Sequence, residues 1–320
     1  MTMVKEADLI KQELKGRDFL TLAHYTTDEI HYLLELADYI KKQKQEGISF
    51  EPLKGKTLGM IFEKSSTRTR VSFEAGIYQL GGMGIFLNSK DIQIGRGETI
   101  ADTAQVLSGY LDGIMIRTFS QAVVEELAAF ASIPVINGLT DLYHPCQVLA
   151  DLQTIKEVKG TLEGKKVVYI GDGNNMAHSL MHGAAKMGME LVIAAPADYL
   201  PDPDVTAKAQ EIAAEHNAKI SIEVDPALAV QHADVIYTDV WASMGQEAEQ
   251  AKREKDFDAY RVDAALLAKA KADVTFMHCL PAHRGEEVTA EVIDGAHSVV
   301  FQQAENRLHA QKALMTALMS

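Results

Sequence analysis

The sequence predicts an α/β protein with two doubly wound parallel-sheet domains joined by helices. Apolar runs of strand length alternate with helical patterns through both halves of the 320 residues. A chain of this length favours two domains. Polar clusters follow several predicted strands, at the edge where such sheets bind ligands. These three observations place the expected ligand contacts in loops after strands.

Composition excludes several classes of function. The formal net charge is -14, and no block of basic residues occurs, which disfavours nucleic acid and anionic membranes as partners. Cys146 and Cys279 are the two cysteines, too few for a disulfide framework and suited to a reducing compartment. The first residues lack the apolar segment of a signal peptide, and no window has the apolar length of a membrane span. We therefore expect a soluble cytoplasmic protein.

The first half reads as helices and strands in alternation. Thr26 and Glu29 have capping-box spacing and open a helix. Residues 88–98 form a polar loop that is long for a simple connection. The predicted strands are 57–62, 83–87, 113–116 and 134–137, and the helices after the first centre on 71–80, 103–107 and 123–130.

The second half begins after a helix predicted from Pro145 to about Val158. A last helix is expected from about Ala304 to Leu318. The strands predicted between them are 167–170, 191–194, 220–224, 235–238, 274–278 and 298–301. We expect domains over residues 1–150 and 151–303, with the helix at about 304–320 packing back on the first.

The segment 62–70, Phe-Glu-Lys-Ser-Ser-Thr-Arg-Thr-Arg, joins a predicted strand to a predicted helix. Free amides at a helix N-terminus attract anions, and guanidinium groups fit phosphate oxygens in pairs. The segment thus predicts a phosphate site. A Ser/Thr helix cap with solvated arginines is the simpler interpretation of this segment alone.

Two further clusters carry donors suited to an acyl group. Arg117 follows the strand 113–116, and His144 precedes the helix that begins at Pro145. His144 can donate to a developing oxyanion, and Gln147 can bind an amide-type group. Alone, His144 and Gln147 would usually mark only a helix start.

The turn 171–175, Gly-Asp-Gly-Asn-Asn, approximates a dinucleotide-binding fingerprint. Met176 occupies the position of its third glycine, and the next strand runs into Pro196 without the expected acid. NAD is therefore discounted. Asn174 and Asn175 either bind a small polar ligand or shape the turn.

Two later strand ends carry ionisable groups. Asp239 can hold a ligand ammonium, and residues 243–245 suggest a closing loop; Trp241 is interpreted as a packing residue. His278 and Cys279 allow a metal ligand pair, a thiolate or a turn that offers carbonyl groups. The spacing matches no metal motif, so no metal is expected.

Taken together, the ordered segments resemble the carbamoyltransferases, and closely the ornithine carbamoyltransferases. The resemblance runs from the first helix to the last. Departures are small, such as Gln302 where an acid is common. The matching segments are Ser66-Thr67-Arg68-Thr69, His144-Pro145-Cys146-Gln147, Asp239 with Ser243-Met244-Gly245, His278-Cys279-Leu280-Pro281 and Ala304-Glu305-Asn306-Arg307.

The resemblance implies an active site in the cleft between a carbamoyl-phosphate domain and an ornithine domain. Asn175, Asp239, Ser243 and Met244 would bind ornithine. Arg68, Arg117, His144, Asp239 and Cys279 would be catalytic, with Lys64 as a further cation. Carbamoyl phosphate would contact Ser66, Thr67, Arg68, Thr69, Gln93, Arg117, His144, Gln147, Cys279, Leu280 and Arg307.

The implied reaction transfers the carbamoyl group of carbamoyl phosphate to the δ-amine of L-ornithine, giving L-citrulline and phosphate. It belongs to arginine metabolism and needs no cofactor or covalent nucleophile. The resemblance also implies a homotrimer, or an assembly of trimers, with Gln93 reaching a neighbour's site. A carbamoyltransferase for another amine such as putrescine, a non-catalytic binding protein and a dehydrogenase are the alternatives.

Overall fold

A computed structural model describes residues 9–94, 97–242 and 249–320. It divides the chain into two compact units, residues 1–153 with 306–320 and residues 154–305. The chain passes from the first unit to the second, and back again, within two continuous helices. In the described ranges, no helix has both the length and the hydropathy needed to cross a membrane.

The first unit is built on a four-stranded parallel sheet in the order β2-β1-β3-β4. The strands are β1 (Thr57–Phe62), β2 (Met83–Asn88), β3 (Gly113–Arg117) and β4 (Val135–Leu139). The helices are α1 (Thr27–Gln45), α2 (Thr67–Gln79), α3 (Ile100–Ser108), α4 (Gln121–Phe130) and α5 (Pro145–Lys159).

The second unit has a five-stranded parallel sheet in the order β7-β6-β5-β8-β9. The strands are β5 (Lys166–Ile170), β6 (Glu190–Ala194), β7 (Lys219–Glu223), β8 (Val235–Thr238) and β9 (Thr275–His278). The helices are α6 (Asn175–Lys186), α7 (Pro203–Glu215), α8 (Pro226–Ala229), α9 (Gln250–Asp256), α10 (Ala264–Leu267), α11 (Ala290–Ile293) and α12 (Val300–Met319). The predicted class of two doubly wound parallel sheets is confirmed.

Helix packing explains why these runs are strands and helices. In the first unit Ile61, Ile114 and Ile116 pack from the sheet against Val124 and Leu127 of α4, all at most 1% exposed. The second unit has a similar core. The buried strands are mainly apolar, as is typical of a parallel sheet whose two faces are covered by helices.

The predicted capping box at the start of α1 is confirmed. Thr26 Oγ1 accepts a hydrogen bond from the amide of Glu29 at 3.2 Å, and Glu29 Oε2 accepts one from the amide of Thr26 at 2.8 Å.

The predicted strand 298–301 is wrong. Ser298 makes an isolated bridge to Phe276, and α12 already begins at Val300. A short apolar run does not by itself distinguish strand from helix, and here it is the first turn of a 20-residue helix.

In both sheets, the order in which successive strands are added reverses beside one inner strand. From β1 the chain moves outward to β2 and returns on the other side at β3; from β5 it moves through β6 and β7 and returns at β8. Ligands of open α/β sheets bind at the carboxyl ends of strands at such reversals. The segments after β1, β3, β5 and β8 are therefore the expected ligand contacts.

One aspartate fixes the amino end of each reversal. Asp112 exchanges hydrogen bonds with the backbone of Thr57, and its carboxylate also accepts from Lys56. Asp234 makes the same pair of bonds with Lys166 and accepts from Lys271. These aspartates align β3 with β1 and β8 with β5 at the end opposite the ligand contacts.

Candidate active site

The first unit carries a cluster of donors at the start of α2. Ser66 is the N-cap of this helix, and its Oγ accepts the amide of Thr69 at 3.1 Å. The simpler prediction of a Ser cap is therefore correct for Ser66. Thr67 and Arg68 form the first turn, where backbone amides lack partners in the helix. Arg68 is half-buried rather than fully solvated.

Two arginines converge on the hydroxyl group of Thr69. Arg117 Nη1 donates to Thr69 Oγ1 at 3.4 Å, and Arg307 Nη2 donates to the same oxygen at 2.9 Å. Thr69 is fully buried, and the arginines are 6% and 3% exposed. Because both lone pairs of the oxygen face guanidinium groups, the Thr69 proton is oriented away from them. The arrangement combines positive charge with a neutral donor.

His144 lies in the positive field of this cluster. Burial lowers its pKa well below 6.5, and Arg307, Arg117 and Arg68 lower it further, in that order. His144 is therefore neutral at physiological pH. It adds a hydrogen-bond donor to the cluster without adding charge.

We expect the stability of the protein to fall as the pH drops below about 6.5, partly through His144. The unfolded histidine takes up a proton near that pH, whereas the folded one resists it, so protonation stabilises the unfolded state. The group contributes at most about 1.4 kcal/mol per pH unit. Denaturant unfolding at pH 7.5 and 5.5 measures the loss in wild type and in His144→Asn.

The variant should lose about 1 kcal/mol less between these pH values. The matched control is His31→Asn, which replaces an exposed histidine. Equal losses in wild type and His144→Asn would contradict a buried neutral His144.

Three other predicted site residues of the first unit differ in their exposure and in their contacts. Gln147, 1% exposed, donates through Nε2 to Asp151. Lys64 forms an ion pair with Asp141, and its Nζ lies 4.4 Å from the ring centroid of Phe119, so its charge is already partnered. Gln93 is exposed after β2, and its role in a neighbouring subunit stays a prediction.

The second unit carries a carboxylate and a thiol at neighbouring strand ends. Asp239 follows β8 and Cys279 follows β9, and these strands pair in register. Cys279 Sγ donates to Asp239 Oδ1 at 3.0 Å, and the amide of Val240 donates to the same oxygen at 2.8 Å. Asp239 is 7% exposed and Cys279 9%. Ser243, Met244 and Gly245 lie outside the described residues.

The turn after β5 positions Asn175 through its neighbour. Asn174 is the N-cap of α6, and its Oδ1 accepts from the amide of Met176 at 2.9 Å and from the hydroxyl of Tyr169 at 3.2 Å. Asn174 therefore shapes the turn. Asn175 begins the helix and is half-buried, and its contact with a ligand stays a prediction.

The segment 278–281 is a shaped turn. His278 Nδ1 accepts the amide of Leu280 at 2.8 Å, and Nε2 contacts the buried Glu287 at 3.0 Å. Leu280 has φ +59°, a region that costs energy for a residue with a branched side chain. Ligand atoms of Asp239, His278 and Cys279 lie within 4.8 Å of one another. Both nitrogens of His278 are already bonded, however, so the set fits hydrogen bonding better than a metal.

Sequence reasoning missed a buried ion pair beside this site. Arg253 Nη1 donates to Asp172 Oδ2 at 2.7 Å and to the carbonyl of Trp241 at 2.8 Å, and its Nε donates to Glu249. Arg253 is 6% exposed. It links the turn after β5 to the segment after β8. An arginine within a polar helix gave no signal of this role in the sequence.

Trp241 is part of the core of the second unit. It is 2% exposed and stacks on Phe257 with ring centroids 6.0 Å apart. The interpretation of Trp241 as a packing residue is therefore correct. Its backbone carbonyl, rather than its ring, contacts the Arg253 guanidinium.

Comparisons with known proteins agree in both halves of the chain. Residues 17–157 match the family model of the aspartate/ornithine carbamoyltransferase carbamoyl-P binding domain, and residues 163–318 match that of the Asp/Orn binding domain. A relative from Oceanobacillus iheyensis, named ornithine carbamoyltransferase, is 76% identical over 100% of this chain and 99% of its own.

Two further matches carry the same name. The relative from Bacillus subtilis is 60% identical over 96% of this chain and 95% of its own. The solved structure of ornithine carbamoyltransferase from Pyrococcus furiosus is similar with a TM-score of 0.93 and 56% identity. The match covers 96% of this chain and 98% of that structure.

Proposed function

The chain belongs to the aspartate/ornithine carbamoyltransferase family, and we propose that it transfers the carbamoyl group of carbamoyl phosphate to the δ-amine of L-ornithine. The products are L-citrulline and phosphate. The first unit holds carbamoyl phosphate and the second holds ornithine. Relatives with the ornithine carbamoyltransferase name at 76% and 60% identity support this choice of acceptor.

The convergence of Arg117 and Arg307 on Thr69 is the observation that carries the proposal. Guanidinium groups bind phosphate oxygens in pairs through charge-assisted hydrogen bonds. Here they lie beside a helix N-terminus and a neutral histidine, in a chain whose net charge is -14. A dianionic phosphate ester with a carbonyl group suits this combination of charge and neutral donors.

The mechanism is direct attack by the amine. The lone pair of the δ-nitrogen forms the new C–N bond, and the carbonyl electron pair moves to oxygen. Thr69, Arg117 and His144 stabilise that oxyanion by hydrogen bonds. Its collapse breaks the C–O bond to phosphate, whose charge Arg68 and the amides of Thr67 and Arg68 compensate. The amine proton leaves to a base.

Asp239 is the better candidate for that base. A carboxylate oxygen only accepts hydrogen bonds, so the 3.0 Å contact requires the proton on Cys279 Sγ. Asp239 therefore holds the substrate ammonium and accepts its proton, while Cys279 orients the carboxylate.

Carbamoyl-phosphate-dependent formation of ureido product, with ornithine, putrescine and aspartate in parallel, tests the proposal. Product chiefly with ornithine supports it. Product chiefly with putrescine would retain the assignment of the first unit and overturn that of the second. No product with any amine would overturn the catalytic assignment.

We assign the reaction to arginine metabolism in the cytoplasm. The small number of cysteines is consistent with that reducing compartment.

A homotrimer is part of the proposal, with an apolar groove of the first unit as its contact surface. Val71, Tyr78 and Met83 are 58%, 77% and 58% exposed and line a groove of about 470 Å³. It lies between α2 and the edge strand β2, and α2 also carries Thr69. Exposed apolar grooves of this kind commonly mark protein contacts.

We expect Tyr78→Lys to convert a trimer into smaller species, because it places a charge in the groove that a second copy would cover. Light scattering coupled to size exclusion should show the mass falling toward the 35.1 kDa of one chain. Tyr110→Lys is the control, since Tyr110 is 76% exposed and does not line the groove. An unchanged mass in Tyr78→Lys would contradict this contact surface.

A further inference from the structure

Gln147 and Asp151 form a buried pair, one turn apart on α5. Gln147 Nε2 donates to Asp151 Oδ1 at 2.9 Å, and the residues are 1% and 0% exposed. Gln147 follows His144 by three residues, in the first turn of the helix. Its carbonyl oxygen Oε1 is buried and accepts no hydrogen bond from any residue that the structure describes.

The chemistry of the pair fixes which end of the amide is available. A glutamine amide has a donor end and an acceptor end, whereas a carboxylate only accepts. The Nε2 end must therefore face Asp151. The Oε1 end is left as a buried acceptor, and such an atom is costly to leave without a donor.

We propose that Asp151 is a positioning residue that presents the acceptor end of Gln147 to the NH2 group of the carbamoyl moiety. This inference rests on the proposed function. It adds a basis for selecting carbamoyl phosphate over acetyl phosphate, because a methyl group replaces the NH2 donor in the acetyl compound. A ligand without that donor leaves Gln147 Oε1 orphaned.

The expected discrimination between the two phosphates follows from the free-energy cost of leaving Gln147 Oε1 without a hydrogen-bond donor. A buried acceptor without its partner costs enough to weaken binding by roughly 10- to 100-fold. Sites built to hydrogen-bond a substrate group reject analogues lacking it for this reason. Wild type should therefore bind acetyl phosphate that much more weakly than carbamoyl phosphate.

The test measures a discrimination ratio, the competitive Ki of acetyl phosphate divided by the KM for carbamoyl phosphate in citrulline formation. The ratio is compared between wild type and Asp151→Asn. Removing the negative charge affects both phosphates alike, so the ratio isolates the amide. The introduced asparagine side chain can donate or accept, so it no longer fixes the orientation of Gln147. The ratio should fall roughly fivefold, since a charge-assisted bond becomes a neutral one.

The same helix supplies a matched control. Gln153 Nε2 donates to Asp38 Oδ1 at 3.1 Å, and Gln153 is 0% exposed. Its Oε1 is also a buried acceptor without a donor among the described residues. Asp38→Asn removes the same kind of carboxylate from a pair outside the donor cluster. It should leave the ratio unchanged.

A charge-conserving exchange gives a second variant in case Asp151→Asn does not fold. In the double variant Asp151→Asn with Gln147→Glu, the amide at position 151 donates to the carboxylate at position 147. The second oxygen of that carboxylate remains an acceptor for the NH2 group. The ratio should return toward that of wild type. A wild-type ratio near one, an unchanged ratio in Asp151→Asn, an equal fall in Asp38→Asn or no recovery in the exchange would overturn the inference. Absent citrulline formation by wild type would instead overturn the proposed function.

Discussion

Replacing Thr69 by valine should lower kcat/KM for carbamoyl phosphate by about 100- to 1000-fold, the range for loss of an oxyanion donor. Valine keeps the shape of the side chain and its branched Cβ. It removes both the proton offered to the substrate and the oxygen shared by Arg117 and Arg307. Initial rates at saturating ornithine, with carbamoyl phosphate varied, measure the effect.

Thr69→Ser is the matched control because it keeps the hydroxyl group. It should retain most of the activity that Thr69→Val loses. The valine variant should also unfold more easily, by about 1–3 kcal/mol, since buried guanidinium donors lose an acceptor. Near-normal turnover in Thr69→Val would contradict the central place of this hydroxyl.

Replacing Asp239 by asparagine should lower kcat/KM for ornithine by roughly 100-fold, while the KM for carbamoyl phosphate stays within about twofold of wild type. The loss combines a charge-assisted hydrogen bond to the amine with a base. Asparagine preserves volume and still accepts from Cys279, so packing is little changed. The selective effect on one substrate distinguishes this role from a general loss of structure.

Asp234→Asn is the control from the same strand. Asp234 precedes β8 and Asp239 follows it, so the two carboxylates lie at opposite ends of four residues. Hydrogen bonds from Lys271 and the Lys166 amide, opposing the effect of burial, lower the pKa of Asp234. Its replacement should reduce stability and leave the KM for ornithine unchanged. A normal KM for ornithine in Asp239→Asn would refute the assignment.

The sequence predicted candidate site residues best where they directly follow the strand that positions them. Arg117 and Asp239 were identified because each ends an apolar run, and the structure places each at a sheet reversal. The residues of the turn after β5 were identified in the same way. Local order in the chain was sufficient for these residues because a parallel sheet brings strand ends together.

Contacts between distant segments were harder to predict. Arg307 reaches Thr69 across 238 positions, and no local pattern in the sequence predicted that contact. Arg253 and Asp172, 81 positions apart, were missed because ordinary helix composition hides a buried ion pair. The run 298–301 was assigned to a strand because four residues are too few to reveal a helical period.

The return of α12 to the first unit has a consequence for biosynthesis. Residues 306–320 belong with residues 1–153, yet a ribosome makes them only after all of residues 154–305. Thr69 therefore emerges early, and the Arg307 guanidinium that completes its surroundings emerges last. No translation product that stops short of Arg307 contains the whole donor cluster. Assembly of the anion site is thereby coupled to completion of both units.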